Sequence, residues 1–273
     1  MGLLTKVEQG HLKYLKRLLD YGSLQLKMGN SFKSQFTHLQ NFLLFNHVAI
    51  HNYSEAIYLL CKDARPHPAH ILVRSLFEAY TNTEYIRHGD SERKLALFSK
   101  EGFAERKKIA NGFDQFIKKY PSKKNSLSIL KEETIEEMKI FAERHINGID
   151  SANKLNQKDK YPDILRRSIE IDKDVLDSKD RGDAELYYHL VFRYLSPYAH
   201  LNAGGLEAFL EKKADNDMTF ITGQAGGIHT ITIQTYLYYF ASLKNLFQEQ
   251  ILDGKMPDIY QKYFEELKSQ KIK

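Results

Sequence analysis

The sequence predicts an all-α protein, a multi-helix bundle with room for one small β-hairpin near 218–232. Only six prolines interrupt 273 residues. The long stretches between them carry apolar residues at three- and four-residue intervals, the spacing that lines one side of a helix. Residues that cap, start or stop helices fall at the ends of these stretches.

Leu12, Leu15, Leu18 and Leu19 form a first amphipathic segment ending at Gly22. A second runs from about Phe32 to Cys61, and Arg65-Pro66-His67-Pro68 breaks the chain after it. Proline suits the first turn of a helix and no later one, so a third helix is expected from Pro68 to His88-Gly89. Asp90 or Ser91 then caps a fourth that continues to Tyr120-Pro121. Leu127, Leu130, Thr134, Met138, Phe141 and His145 mark one stripe of a charged helix that Asn147-Gly148 ends. The polar stretch Asp150–Lys160 reads as a connection, and Ile164–Leu176 as a short charged helix. Helices resume at Ala184–Leu195 and, with Ser196-Pro197 as cap and first residue, at Tyr198–Lys213. Met218–Thr222 and Ile228–Thr232 are β-prone runs joined by a glycine-rich stretch, the two arms of the expected hairpin. Ile231–Leu252 and Pro257–Lys271 complete the helices. The chain reads as a single helical domain over 1–273, with 90–180, its most charged and least core-like part, as an insertion or excursion.

Composition removes several function classes. With 42% hydrophobic, 12% aromatic and 27% charged residues, the chain is neither disordered nor collagenous. No run approaches the ~18 apolar residues of a membrane span, and the first residues offer no apolar signal region, so a soluble, cytoplasmic protein with no membrane partner is expected. Forty Lys and Arg against 35 Asp and Glu give +5, which permits contact with a polyanion without requiring it. Cys61 is the only cysteine and sits in an apolar run, so a packed thiol is expected, with no disulfide and no thiolate cluster. His47, His51 and Glu55 repeat at four-residue spacing, but packed histidines are the commoner outcome, and no metal or other cofactor is expected.

Two constellations carry chemistry. In the third helix, at about 100° per residue, His70, Arg74, Glu78, Thr81 and Tyr85 share one side of an otherwise apolar helix. Ions are rarely buried alone, so Arg74 and Glu78 either pair with each other or form the wall of a polar pocket. Further on, Arg193 and His200 stand two helical turns apart in aromatic sequence, with His189 and Ser196 on the same face of a continuous helix and Pro197 bending the path. Such a bend could turn Arg193 and His200 into one hollow. There a neutral imidazole can take a proton from a ribose 2′-hydroxyl while a guanidinium offsets charge on phosphorus.

Leu72-Val73-Arg74-Ser75-Leu76-Phe77-Glu78 together with Tyr194-Leu195-Ser196-Pro197-Tyr198-Ala199-His200 resembles a bacterial, mostly helical family of unknown function, whose signatures are Arg-Ser-Leu-x-Glu and Leu-Ser-x-x-x-His. Arg193, six residues, then His200 is also similar to the Arg-x(4–6)-His motif of HEPN proteins, all-α domains that include toxin and antiviral ribonucleases. That resemblance implies a HEPN-like bundle with Arg193 and His200 as the catalytic pair. Arg74, Glu78, Ser196 and Asn202 become supporting or substrate-binding residues. It further implies a metal-independent endoribonuclease acting on RNA in toxin–antitoxin or phage-defence settings, usually as a homodimer and under a cognate antitoxin or regulatory protein. The contrasting expectation is a noncatalytic binding or scaffold module in which the same residues form a buried Arg/Glu/His network.

Overall fold

A computed structural model describes residues 4–28, 36–122, 132–174, 182–193, 210–212, 218–220 and 227–270. Its helices are α1 (Lys6–Met28), α2 (His38–Lys62), α3 (Pro66–Arg87), α4 (Ser91–Lys119), α5 (Glu132–Asn153), α6 (Ile164–Asp174), α7 (Asp183–Tyr187), α8 (Ile228–Gln248) and α9 (Asp258–Gln270). A π-helical turn, Tyr188–Arg193, follows α7, and two three-residue strands, β1 (Leu210–Lys212) and β2 (Met218–Phe220), form an antiparallel ribbon. The fold is all-α in class. The residues divide into two compact units, 1–87 with 164–273, and 88–163.

The first unit is organised around α8, which is apolar or aromatic around nearly its whole circumference and buries residues on every side, from Ile228 and Ile231 through Tyr236, Tyr239 and Phe240 to Leu246. Against it pack α1, α2, α3 and α9. The stripe Leu12, Leu15, Leu18 and Leu19 of α1 is buried as the periodicity requires. Thr37 and Gln40 form a reciprocal capping box, which starts α2 later than the apolar pattern alone suggests. Ala64, at φ +54°, ends α2, and α3 begins at Pro66, two residues before the expected start.

The second unit is an antiparallel pair. Asp114 accepts hydrogen bonds from Lys139 and Lys118, while Lys107–Glu143 and Lys100–Asp150 both close at 2.7 Å. Asp90 caps α4 through the Arg93 N–H, as expected. The seam holds Ala110, Ile117, Ile135 and Met138, whereas Phe141 of the anticipated stripe is 45% exposed and packs on the His145 ring. Leu127 and Leu130 lie outside the described residues.

Four expectations are corrected. The 218–232 hairpin does not form: β2 pairs with β1, and Ile228–Thr232 is the first turn and a half of α8. Burial overrides β-propensity there, and Thr232 and Thr235 donate back to the Ile228 and Ile231 carbonyls at 2.7 Å, so their hydroxyls are satisfied within the helix. The strand Leu210–Lys212 likewise replaces the end of the expected 198–213 helix. Gly148 is interior to α5, which runs on to Asn153 with Asp150 paired to Lys100. Gly22 does not end α1: its missing side chain admits α8, and a Cβ there would lie 1.9 Å from the Tyr239 hydroxyl oxygen.

Gly22→Ala is therefore expected to lower stability by about 1–3 kcal/mol, despite alanine's better helix propensity. Gly10→Ala, in the same helix with nothing within 4 Å of the added methyl, raises it by up to about 1 kcal/mol. Urea unfolding of the two variants decides this, and equal stabilities would contradict the close approach.

Candidate functional site

The buried side chains Val73, Leu76 and Phe77 fasten α3 to the core and leave Arg74 and Glu78 half-buried at its edge. The neighbouring element is built differently. Gly182, at φ +92°, supplies no side-chain cap to α7, and Asp172 of α6 substitutes for one by accepting the Ala184 and Glu185 N–H groups at 2.9 and 2.8 Å. From α7 the chain runs into the π turn, where Val191 is fully buried and Phe192 stacks on Tyr188. The guanidinium carbon of Arg74 sits 4.1 Å from the Phe192 ring centroid, a cation–π contact. The Arg-Ser-Leu-x-Glu helix thus touches the residue immediately before Arg193.

Arg74 does not pair with Glu78. Among the described residues no ion pair joins them, and the buried Arg74 Nε has no hydrogen-bond partner. The acid–base pairing of α3 lies at its other end, where Arg87 meets Glu84 at 3.6 Å and Glu249 at 3.4 Å and Asn245 donates to Glu84 at 2.7 Å. Arg193 closes the π turn, with its side chain outside the described atoms. Ser196, His200 and Asn202 lie outside the described residues. His189, expected on the same face as Arg193, is exposed in the same turn.

His47 and His51 are packed on α8 through one ring nitrogen each: His47 Nδ1 lies 2.9 Å from the Ser242 hydroxyl and His51 Nδ1 2.8 Å from the Tyr239 hydroxyl. Glu55 is exposed, 3.9 Å from His51 Nε2. Among the described residues no three His, Cys, Asp or Glu side chains gather to hold a metal ion. Burial and the nearby His51 push His47 down to about 3, and burial with His67 nearby takes His70 to about 4. Cys61 is fully enclosed, its thiol pushed up to about 12 by burial, which suits packing and not nucleophilic attack. Phe77, Tyr80, Tyr187 and Tyr238 line a cavity of about 120 Å³ in the first unit; no spacing in the sequence marks them as its walls.

Residues 40–218, from α2 to β2, match the model described as Family of unknown function (DUF5677). No curated protein and no solved structure matches the chain. No helix among the described residues is long and apolar enough to cross a membrane.

The buried histidine gives a pH dependence with a definite sign. Folded His47 stays neutral to about pH 3, whereas the unfolded chain protonates it near pH 6.5, so its contribution is complete above that value. Stability should fall as pH drops from 6.5 toward 3, by on the order of 1 kcal/mol per pH unit from this residue. Chemical unfolding across that range tests it: His47→Gln flattens the slope, and an unchanged slope would assign the acid sensitivity elsewhere.

Proposed function

The chain belongs to the DUF5677 family, whose function is unknown, and we propose that it is a metal-independent endoribonuclease, an RNA-cleaving effector of stress or phage defence. Arg74 carries the reading. Its guanidinium is half-buried beside Phe192, the residue before Arg193, faces that aromatic ring in place of an acid, and keeps a buried N–H with no acceptor among the described residues. A guanidinium so placed favours an incoming phosphate, whose oxygens accept charge-assisted hydrogen bonds. The π turn beneath it is a rare helical form that accumulates at functional sites.

In this reading His200 takes the proton from the ribose 2′-hydroxyl as its oxygen attacks phosphorus, and Arg193 and Arg74 offset the negative charge that builds on the phosphoryl oxygens. The P–O5′ bond breaks, the leaving oxygen takes up a proton, and the products are a 2′,3′-cyclic phosphate and a 5′-hydroxyl. Glu78 and Arg74 together wall the pocket; Ser196 and Asn202 bind substrate. The HEPN resemblance adds a homodimer, a cytoplasmic setting and a cognate antitoxin or regulatory protein.

A noncatalytic scaffold or binding module is the second reading, favoured by the pairing of His47 with Ser242, His51 with Tyr239 and Glu84 with Asn245 inside the helical core. Labelled RNA incubated with protein and chelator separates the two. Wild type is expected to yield cyclic-phosphate ends, and His200→Ala to lose about 10²-fold or more of the rate without a change in Tm. Arg74→Ala should cut the rate while Arg74→Lys restores part of it. Equal background from wild type and His200→Ala ends the nuclease reading, and a large Tm loss in His200→Ala supports the scaffold.

A further inference from the structure

One face of the second unit is apolar and exposed. In α4, Arg106, Ile109, Phe113 and Phe116 follow one another at alternating steps of three and four residues, and in α5 Thr134, Met138, Phe141 and His145 do the same. That spacing forms the seam of a coiled coil or four-helix bundle. An open hollow lined by Arg106, Thr134, Glu137, Met138 and Phe141 lies between the two rows, so both look to one side of the helix pair. At about 100° per residue, Lys107, Asp114, Lys139 and Glu143, whose ion pairs join α4 to α5, fall on the other side of the Ala110, Ile117 and Ile135 seam. Ile109 is 52% exposed, Phe116 42% and Phe141 45%, and Tyr120, 44% exposed, packs its ring on Phe116.

The charges that flank this face are arranged symmetrically. Glu137 and Arg144 border the α5 row on one line of the helix, seven residues apart, and both are exposed. Glu105 and Lys119 border the α4 row on one line, fourteen residues apart, with Gly112 midway. Along each border the sign changes once. The Lys107–Glu143 and Asp114–Lys139 pairs bring Gly112 level with Ile140, so the midpoints of both borders fall at the same height on the helix pair. A two-fold axis lying in the face at that height lays each helix antiparallel on its own copy. It sets Glu137 against Arg144 of the partner subunit and Glu105, which otherwise meets Lys108 of its own helix, against Lys119 of the partner subunit. The same operation puts Arg106 opposite Phe116 of the partner subunit, a cation facing an aromatic ring.

We infer that this face joins two copies of the chain, α4 and α5 of each forming one antiparallel four-helix bundle. A two-fold interface uses the same patch on both subunits, so every charge must find its opposite at the mirrored position. Both borders meet that requirement about one common height, a coincidence that an unlike partner would not need. Antiparallel helices pair the charged positions beside their apolar seams in this way, which fixes orientation and register. The extent also suits a dimer: a face ~20 Å long and two helices wide is on the order of the ~800 Å² that each partner gives to a standard interface. The inference rests on α4 and α5 alone and not on the nuclease reading.

Sedimentation velocity on the full chain over a range of concentrations tests it, with helical circular dichroism as the check on folding. Wild type is expected to be a dimer, and Phe141→Glu to raise its dissociation constant about 100-fold or more. Glu137→Arg and Arg144→Glu, both on exposed residues, should each weaken the dimer about tenfold, because each sets like charges together twice across the axis. Combining the two restores the opposite-sign pairs and should return the affinity to within about threefold of wild type. A wild type that stays monomeric at about 100 μM overturns the inference. So does a dimer indifferent to Phe141→Glu, which would be held by another surface, or a double variant weaker than either single one. None of these readouts depends on RNA cleavage.

Discussion

The burial of α8 on all sides is the constraint from which the rest of the first unit follows. A helix placed in this way satisfies nearly all of its polar side chains inside the protein, because water cannot reach them. Ser242 and Tyr239 do so through His47 and His51, and this pairing, rising along one helix as it falls along the other, runs α2 antiparallel to α8. Asn245 fixes α3 through Glu84, and Tyr236 fixes the start of α9 through the Tyr260 carbonyl. Tyr239 also explains why α1 carries a glycine in its interior, since the hydroxyl that meets His51 occupies the space a side chain at 22 would need. One apolar helix thus dictates the register of its neighbours through a few hydroxyls and amides.

Where a signal was local, the sequence could be read directly. The leucine stripe of α1, the Asp90 cap of α4 and the enclosed Cys61 follow from periodicity, capping chemistry and apolar surroundings. Where the deciding force came from elsewhere in the fold, local reading failed. Ile228–Thr232 has β-branched chemistry but lies in the centre of the core; glycine 22 looks like a stop but serves a close approach, and glycine 148 looks like one but sits inside α5. Of the candidate site, the α3 half was legible because charged residues inside an apolar helix stand out. The loss of the Arg74–Glu78 pair was not, because Phe192, which takes the guanidinium's face, is more than a hundred residues away in sequence.

The short helix α7 and its π turn link two features of this unit, the aromatic cavity walled by Phe77, Tyr80, Tyr187 and Tyr238 and the Arg74–Phe192 contact. A five-residue helix has no stability of its own, since nucleation alone exceeds what so few hydrogen bonds return. Its place is set by tertiary anchors: the Asp172 carboxylate at its start, Tyr187 in the cavity wall, and Val191 in the core. Those anchors occur in the order in which the chain leaves α7 and reaches Phe192. The aromatic cavity and the Arg74 contact therefore stand on one segment whose position is imposed by its neighbours, and both use α3 as their other wall, through Phe77, Tyr80 and Thr81 for the first and Arg74 for the second. At about 100° per residue, Arg74, Phe77 and Thr81 fall on adjoining parts of the α3 surface. The same helix face thus supplies both the apolar wall and the cation.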